Sequence, residues 1–567
     1  MKKIIECVPN YSEGRDRAVI DGIVAAIASV EGVRVLNVDP GEATNRTVVT
    51  FVGEPEPVVE AAFRGSRAAQ ELIDMRRHHG AHPRSGATDV LPLIPVSGIT
   101  LEECAALARA LAERMWRELG IPCYCYEAAA FKPERKNLAV CRAGEYEALP
   151  EKMADPDRKP DFGGAYDETA ARSGASNVGA RNFLIAVNFN LNTTSTRRAM
   201  AVAFDVREKG RKAREGGSLT GKLLKDAAGD QIWIPGTLKG CKAIGWYIDE
   251  YGIAQVSMNI TDIDATPLHV AFEEVCRAAA ARGLRVTGTE IVGLVPKRVL
   301  LEAGRFYLEK QQRSLGISEE EILRIAVKSM SLDDLKPFDP KEKVIEYLME
   351  DPAETAVRER LVRMRVKDFI AETASESPAP GGGSVSACMG ALGAALATMV
   401  ANLSAHKRGW DDRWKEFSDV AEQGQALVAE LTALVDEDTA AFNRIMDALS
   451  LPKGTEAEKA ERAAALEAAT LYAASVPLKT MEASLKALPL ALEMARKGNP
   501  ASASDAGVAA LAALAAVRGA HLNVRITAAG LTDKAPAAPL LSRAAGIEAE
   551  AAALQAEVLA EVDRHIG

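Results

Sequence analysis

The sequence predicts a multidomain chain: two α/β (α+β) subdomains, followed by an all-α antiparallel helical bundle. Three observations predict it. The 567 residues amount to three or four units at roughly 100–200 residues per domain. Up to about residue 330, short β-branched runs alternate with segments of helical period. Beyond about residue 360 the strand runs vanish, and Ala, Leu, Glu and Lys recur at helical spacing. The boundaries so read are 1–180 and 181–331 for the two subdomains, 332–360 for a linker and 361–567 for the bundle.

In the first subdomain Lys3–Val8 reads as a strand, Arg15–Ser29 as a helix, and Val33–Val38 and Thr47–Gly53 as strands. Pro57–Ile73 is helical, and Val90–Pro95, Ile99–Leu119 and Cys123–Ala128 continue as strand, helix and strand. The second subdomain repeats the rhythm. Asn182–Leu191 is a buried strand and Ser195–Lys209 a helix; Lys242–Asp249 and Ile253–Ile260 pair around a Glu250-Tyr-Gly turn. Pro267–Arg282 is helical and Arg285–Val292 a strand, while Gly216–Thr237, rich in Gly and Lys, is a long loop or short hairpin. The bundle helices are expected at Phe417–Met446, Thr455–Arg496, Gly507–Leu522 and Ala537–His565, broken by Gly- and Pro-containing turns.

Composition narrows the function classes. Charged residues are 26% and hydrophobic ones 48%, which excludes a chain disordered throughout. A net charge of -10 argues against a nucleic-acid coat, since phosphate neutralisation needs a basic surface. Eight Cys include no CxxC pair, so neither a zinc knuckle nor a disulfide framework is expected. The opening MKKIIECVPNYSEGR turns polar before an apolar leader forms, and the expected compartment is the reducing cytoplasm. Val385–Leu403 is nineteen residues without a charge, close to a membrane span in length. Its Ala, Gly, Ser and Thr favour a tightly packed helix of a soluble bundle over membrane insertion.

The densest chemical motif is His78-His79-Gly-Ala-His82-Pro-Arg84. Three His in five residues suggest a metal, but Gly80 and Pro83 argue against the helical face on which a His pair would converge. No metal is expected. The alternative is a general acid/base at His82, held rigid by Pro83, with Asp39 at a strand end as an orienting carboxylate. His78 and His79 then read as surface or capping residues.

Two features stand out in the helical half. Ala379-Pro-Gly-Gly-Gly-Ser384 precedes the uncharged helix and is either an anion cradle or a flexible lead-in. Leu434-Val-Asp436-Glu-Asp438 lies inside a helix; spacing alone leaves it a solvated stripe or a carboxylate raised in pKa by apolar neighbours.

The blocks VDPGEATNRTVVTFVG, GAHPRSGATDVLPLIPV, GARNFLIAVNFNL, AIGWYIDEYGIAQVSMNITD and TGTEIVGLVP resemble the glutamate formimidoyltransferase family over about residues 1–330. APGGGSVSA, LVDEDTAAFNRIMDALSLPKGT and NPASASDAGVAALAALAAVRGAHLNV are similar to the formimidoyltetrahydrofolate cyclodeaminase family, which has a methenyltetrahydrofolate cyclohydrolase branch. The fused order resembles the bifunctional family. The resemblance implies transfer of a formimino group from N-formimino-L-glutamate to tetrahydrofolate, then cyclisation with loss of ammonia, in histidine breakdown. It implies His82 as the catalytic acid/base supported by Asp39, Asp436 as the cyclodeaminase residue and Asp438 as second to it. Folate contacts are implied at Gly163, Gly164, Ala165, Tyr166, Asp167, Glu168, Ser173, Gly174 and Arg181. In the helical half, Gly382, Gly383, Ser384, Lys407 and Asp505 are further folate candidates, with Ser504 and Asn523 nearby. Arg408 and Lys407 are candidate contacts for a polyglutamate tail, against the plainer reading of a solvated basic pair. A homo-oligomer is implied as well. Two rivals stay open for the helical half: cyclohydrolase chemistry only, or a non-catalytic oligomerisation module.

Overall fold

The computed structural model describes residues 3–42, 44–80, 83–217, 221–350 and 352–566. The chain divides into two compact units, residues 1–300 with 330–349, and 301–329 with 350–567. Leu301–Ser329, read from the sequence as the end of the second subdomain, thus counts with the helical unit. The expected linker carries helices Pro340–Lys343, Ile345–Met349 and Pro352–Arg358.

The first unit contains a seven-stranded sheet. Val33–Gly41 lies at one edge beside Arg46–Gly53. Ile4–Cys7 and Asn10–Tyr11 follow, then Thr88–Ser97, Ser176–Ala180 and Cys123–Glu127. Only the last two junctions are parallel. Alternation decides which face is buried. Ile5 and Cys7 enter an apolar core with Ile23, Phe63, Cys104 and Leu111 from the helices Arg17–Ala28, Pro55–Leu72 and Leu101–Leu119. Glu6 and Asn10 therefore stand on the opposite face.

A second sheet, ordered Cys241–Ile248, Ile253–Ile260, Ile185–Leu191, Val286–Val292, is antiparallel throughout. In chain order it reads β-α-β-β-α-β, with helices Thr196–Val206 and Leu268–Ala280 as the crossovers. Gly245 lets the first of these helices sit hard against the sheet, because a Cβ there would overlap the backbone of Met200. Trp233–Ile234, inside Gly216–Thr237, pairs with Arg211–Lys212, which precedes that segment.

The helical unit is built on Gly382–Ala405, Trp414–Ser450, Glu456–Lys497, Ala503–Ala529 and Ala538–Ile566. Its core is mostly Ala, Leu and Val. Small residues bring the axes close: a Cβ on Gly390 would overlap Ser484 Oγ, and one on Gly519 would overlap Ser386 Oγ. The uncharged helix is buried over 56% of its apolar window, as is the Pro500–Ala529 stretch, so both serve the bundle core.

Candidate active sites

Residues of both sheets, with Leu138 and Ile345 from short helices, line one cavity of about 350 Å³ in the first unit. Glu6, Asn10, Asp39, Arg46, Tyr126 and Glu127 come from the large sheet and Lys242 and Asn259 from the small one, with Arg142 and Arg181 between. Asp89 is fully buried behind this lining. It pairs with Arg46, accepts Arg142 Nη2 at 2.8 Å and takes the Ser85 amide at 2.8 Å. Two guanidiniums sharing one carboxylate leave net positive charge at the cavity wall, and Arg142 Nε is buried without a hydrogen-bond partner. That unmet donor is a cost the fold carries unless an anion binds.

Three carboxyls in the same lining are perturbed upward. Burial pushes Glu6 up to about 7, against the lowering charge of Arg181. Asp39 is raised, by burial first, with Lys343 opposing and Glu290 reinforcing. Glu127, in the left-handed backbone region at φ 52°, is raised by burial against Lys242 and Arg181. Carboxyls displaced in this way beside cations mark a ligand site.

The His-bearing turn is stitched down on both sides. His78 is buried; its Nε2 lies 2.9 Å from the Asn45 carbonyl, and its Nδ1 accepts Arg84 Nε at 3.4 Å. Because a guanidinium can only donate, His78 carries its proton on Nε2. Burial lowers its pKa, so it is a neutral structural residue rather than a surface one. His79 is exposed, as expected. Arg84 grips Glu147 at 2.7 Å and Glu145 at 3.1 Å, and Asn45 Nδ2 donates to the His79 carbonyl at 3.0 Å. His82 lies outside the described residues. Among those described, no group of three His, Cys, Asp or Glu is arranged to hold a metal.

The expected folate loop is placed elsewhere. Residues 163–168 are exposed, and none of Gly163, Gly164, Ala165, Tyr166, Asp167, Glu168, Ser173 or Gly174 lines the cavity. Asp167 caps the helix Glu168–Ser173, and Glu168 pairs with Arg76 at 2.7 Å. Gly174 has φ 66° and lies against the Ser85 carbonyl, which ties this segment to the His-bearing turn. Arg181 does line the cavity.

The helical unit has its own cavity of about 150 Å³, lined by Gly381, Gly382, Gly383, Asp438, Thr439, Phe442, Pro477 and Asn523 among others. Asp438 accepts the Ser384 amide at 2.9 Å and its hydroxyl at 3.1 Å, at the start of the Gly382–Ala405 helix. Burial raises its pKa against those two bonds. Gly383 is required here, since a Cβ would overlap the carboxylate. Pro477 has no amide hydrogen, so the Ala473 carbonyl lacks its helical partner, and both residues line this cavity.

Asp436 is held by a segment distant in sequence. It is buried, but its oxygens accept the Leu361 and Val362 amides at 2.8 and 3.1 Å, and it does not line the cavity. Two helical positions separate it from Asp438 by about 200°, and of the two it is Asp438 that lines this cavity. Lys407 and Asp505 also lie outside this lining. Lys407 follows the far end of the Gly382–Ala405 helix, roughly 35 Å from Gly383 at 1.5 Å per residue. Its ammonium sits 4.0 Å from the Trp410 ring centroid. Asp505 is in the first turn of Ala503–Ala529, about 27 Å along it from Asn523. Neither reaches the Asp438 cavity. Sequence reasoning missed Glu6, Arg46, Asp89, Glu127 and Arg142. The available signal was a charge inside a strand otherwise destined for a core, as in Ile-Ile-Glu6-Cys.

Residues 4–181 match the family described as "Formiminotransferase domain, N-terminal subdomain", residues 186–350 "Formiminotransferase domain", and residues 365–546 "Formiminotransferase-cyclodeaminase". The chain is 44% identical to the formimidoyltransferase-cyclodeaminase of Sus scrofa over 560 residues, covering 99% of this chain and 98% of that one. The glutamate formimidoyltransferase of Streptococcus pyogenes is 40% identical over 309 residues, 54% of this chain and 94% of its own. The methenyltetrahydrofolate cyclohydrolase of Methylorubrum extorquens is 40% identical over 193 residues, 34% of this chain and 93% of its own.

Proposed function

The chain belongs to the formimidoyltransferase-cyclodeaminase family, and from that premise we propose which residues carry each of its two reactions. It is a bifunctional folate enzyme. It transfers the formimino group of N-formimino-L-glutamate to tetrahydrofolate, then cyclises 5-formimidoyltetrahydrofolate to 5,10-methenyltetrahydrofolate with release of ammonia.

The transfer belongs to the first cavity. N5 of the folate attacks the formimino carbon, the new N5–C bond forms, and the C–N bond to glutamate breaks. His82 takes the N5 proton and returns one to the departing amine, with Asp39 as its supporting carboxylate. The single observation that favours this cavity is its charge pattern: the guanidiniums of Arg142 and Arg181 share one lining with the carboxyls of Glu6, Asp39 and Glu127. Such a wall suits a substrate with two carboxylates and a cationic head. The test is His82→Ala, which should abolish transfer while ammonia release from supplied 5-formimidoyltetrahydrofolate continues.

Cyclisation belongs to the second cavity. N10 attacks the same carbon, and the amidine nitrogen leaves as ammonia after taking a proton. Asp438 is the one ionisable side chain in that lining among the described residues. Its raised pKa suits a group that donates and regains a proton near neutrality. The Ala473 carbonyl freed by Pro477 is an acceptor for the departing ammonium. If the helical half were a cyclohydrolase alone, it would hydrolyse the methenyl product without releasing ammonia from 5-formimidoyltetrahydrofolate. As an oligomerisation module it would do neither.

The remaining context is part of the same proposal. The reactions serve histidine breakdown, the folate is polyglutamylated, and the enzyme is a cytoplasmic homo-oligomer. Eight free cysteines fit a reducing compartment. Exposed Leu392 and Leu403 on one bundle helix and Leu522 and Ile526 on another fit burial against a second copy.

A further inference from the structure

We propose that Glu6 is the specificity-determining residue of the first cavity. Its carboxylate receives the formamidinium head of N-formimino-L-glutamate, and Arg142 and Arg181 receive the two glutamate carboxylates. The inference rests on the assignment of transfer to this cavity and goes beyond it by naming what selects formimino over formyl.

Glu6 sits on an interior strand of the large sheet, paired to Val52 on one side and Ile94 on the other. Its neighbours Ile5 and Cys7 are fully buried in the core, so the backbone holds the carboxyl on the cavity face. It is only 4% exposed, yet makes no hydrogen bond or ion pair with any described residue. Arg181 is near enough to be felt electrostatically without pairing to it. A buried carboxyl with no partner costs the fold free energy, and a site of this kind is completed by its ligand. Arg142 Nε is its counterpart on the cationic side, a buried donor with nothing to donate to.

The missing partner of a carboxylate is a planar cation with paired N–H donors, and a formamidinium is one. Two parallel N–H···O bonds would fix both the plane and the charge of the electrophilic carbon. Asp39 and Glu127 are also in the lining, but Asp39 is exposed on an edge strand and Glu127 is half-buried at a strand end. Only Glu6 is both buried and central. The formyl analogue puts a carbonyl oxygen where the amidinium has its NH₂, so an acceptor would face the carboxylate. Sites built to bond a substrate N–H reject analogues lacking it far more strongly than apolar pockets reject a size change.

The test uses the full-length enzyme. Initial rates give KM for N-formimino-L-glutamate and for tetrahydrofolate, and N-formyl-L-glutamate is titrated as a competitive inhibitor. In Glu6→Gln the formimino KM should rise by roughly tenfold to a hundredfold, the scale of one charge-assisted pair. The tetrahydrofolate KM should hold, and N-formyl-L-glutamate should bind as well as before or better, because the Gln amide can donate to a formyl oxygen. Glu6→Asp, which keeps the charge one methylene further back, should retain preference for formimino over formyl. Equal weakening of both ligands in Glu6→Gln, or an unchanged formimino KM, overturns the proposal. No transfer from N-formimino-L-glutamate by the unaltered enzyme would instead overturn the assignment of the activity, whatever Glu6 does.

Discussion

The two cavities to which we assign the reactions are built by opposite means. The first is walled by strands and crowded with charge: Glu6, Asp39 and Glu127 against Arg46, Arg142 and Arg181. The second is walled by helices and, among the described residues, has a single carboxyl, Asp438, held by a helix-initial amide and hydroxyl. A β-sheet turns every second side chain to the same face, so one face can collect many charges while the other builds the core. A helix bundle buries its stripe in apolar contact and exposes a polar site only where a helix begins or a proline breaks the ladder. The difference suits the proposed assignment: a multiply charged small substrate needs many ionic contacts, whereas closing a ring already attached to folate needs one proton donor.

The largest expected effect comes from His82→Ala. Transfer should fall by roughly two to four orders of magnitude, as for loss of a general acid/base, with ammonia release from 5-formimidoyltetrahydrofolate within twofold of normal. Loss of both activities in a folded protein would erase the contrast between the cavities. Next is Gly383→Ala, whose Cβ would displace Asp438 from Ser384. Ammonia release should drop at least tenfold while transfer is unaffected, measured by separate assays of the two steps.

Glu6→Gln sharpens the comparison through stability. A carboxyl raised from 4.5 to about 7 holds its proton in the folded state where the unfolded chain has released it. Its contribution to stability is full below about pH 4.5 and lost as pH rises through about 7. Glu6→Gln removes that loss, so above pH 7 the variant should be more stable than the parent, by on the order of 1–3 kcal/mol. Denaturant titrations at pH 5 and pH 8 should show the gain at pH 8 and little at pH 5. Asp436→Asn exchanges one of two amide acceptors for a donor, and denaturation should show a loss of about 1–2 kcal/mol with ammonia release retained. Smallest of all, Lys407→Ala should leave transfer and ammonia release by the isolated steps unchanged, since it lies far from the second cavity.

How much of this was legible in the sequence varied by element. The β-α rhythm and the long helices were, because periodicity survives in each segment. Ser176–Ala180 was not read as a strand: its Ser, Gly and Ala lack strand propensity, and it is set by neighbours, with Gly179 lying under the Tyr126 ring. The His turn was visible as residue types, but His78 could be sorted from His79 only once Arg84 and Asn45 were placed around it. The aspartate pair shows the same limit. Spacing alone leaves Asp436 either on a solvated stripe or beside apolar neighbours, and its burial comes with the 361–362 backbone, distant in sequence. Asp438 owes its site to Gly383 and Ser384, more than fifty residues earlier.

The most direct measurement of the two-cavity account is a paired assay of Asp438→Asn. The account predicts normal transfer from N-formimino-L-glutamate, accumulation of 5-formimidoyltetrahydrofolate, and ammonia release reduced by roughly two to four orders of magnitude. Near-normal ammonia release, or a parallel loss of transfer in a folded protein, would contradict it.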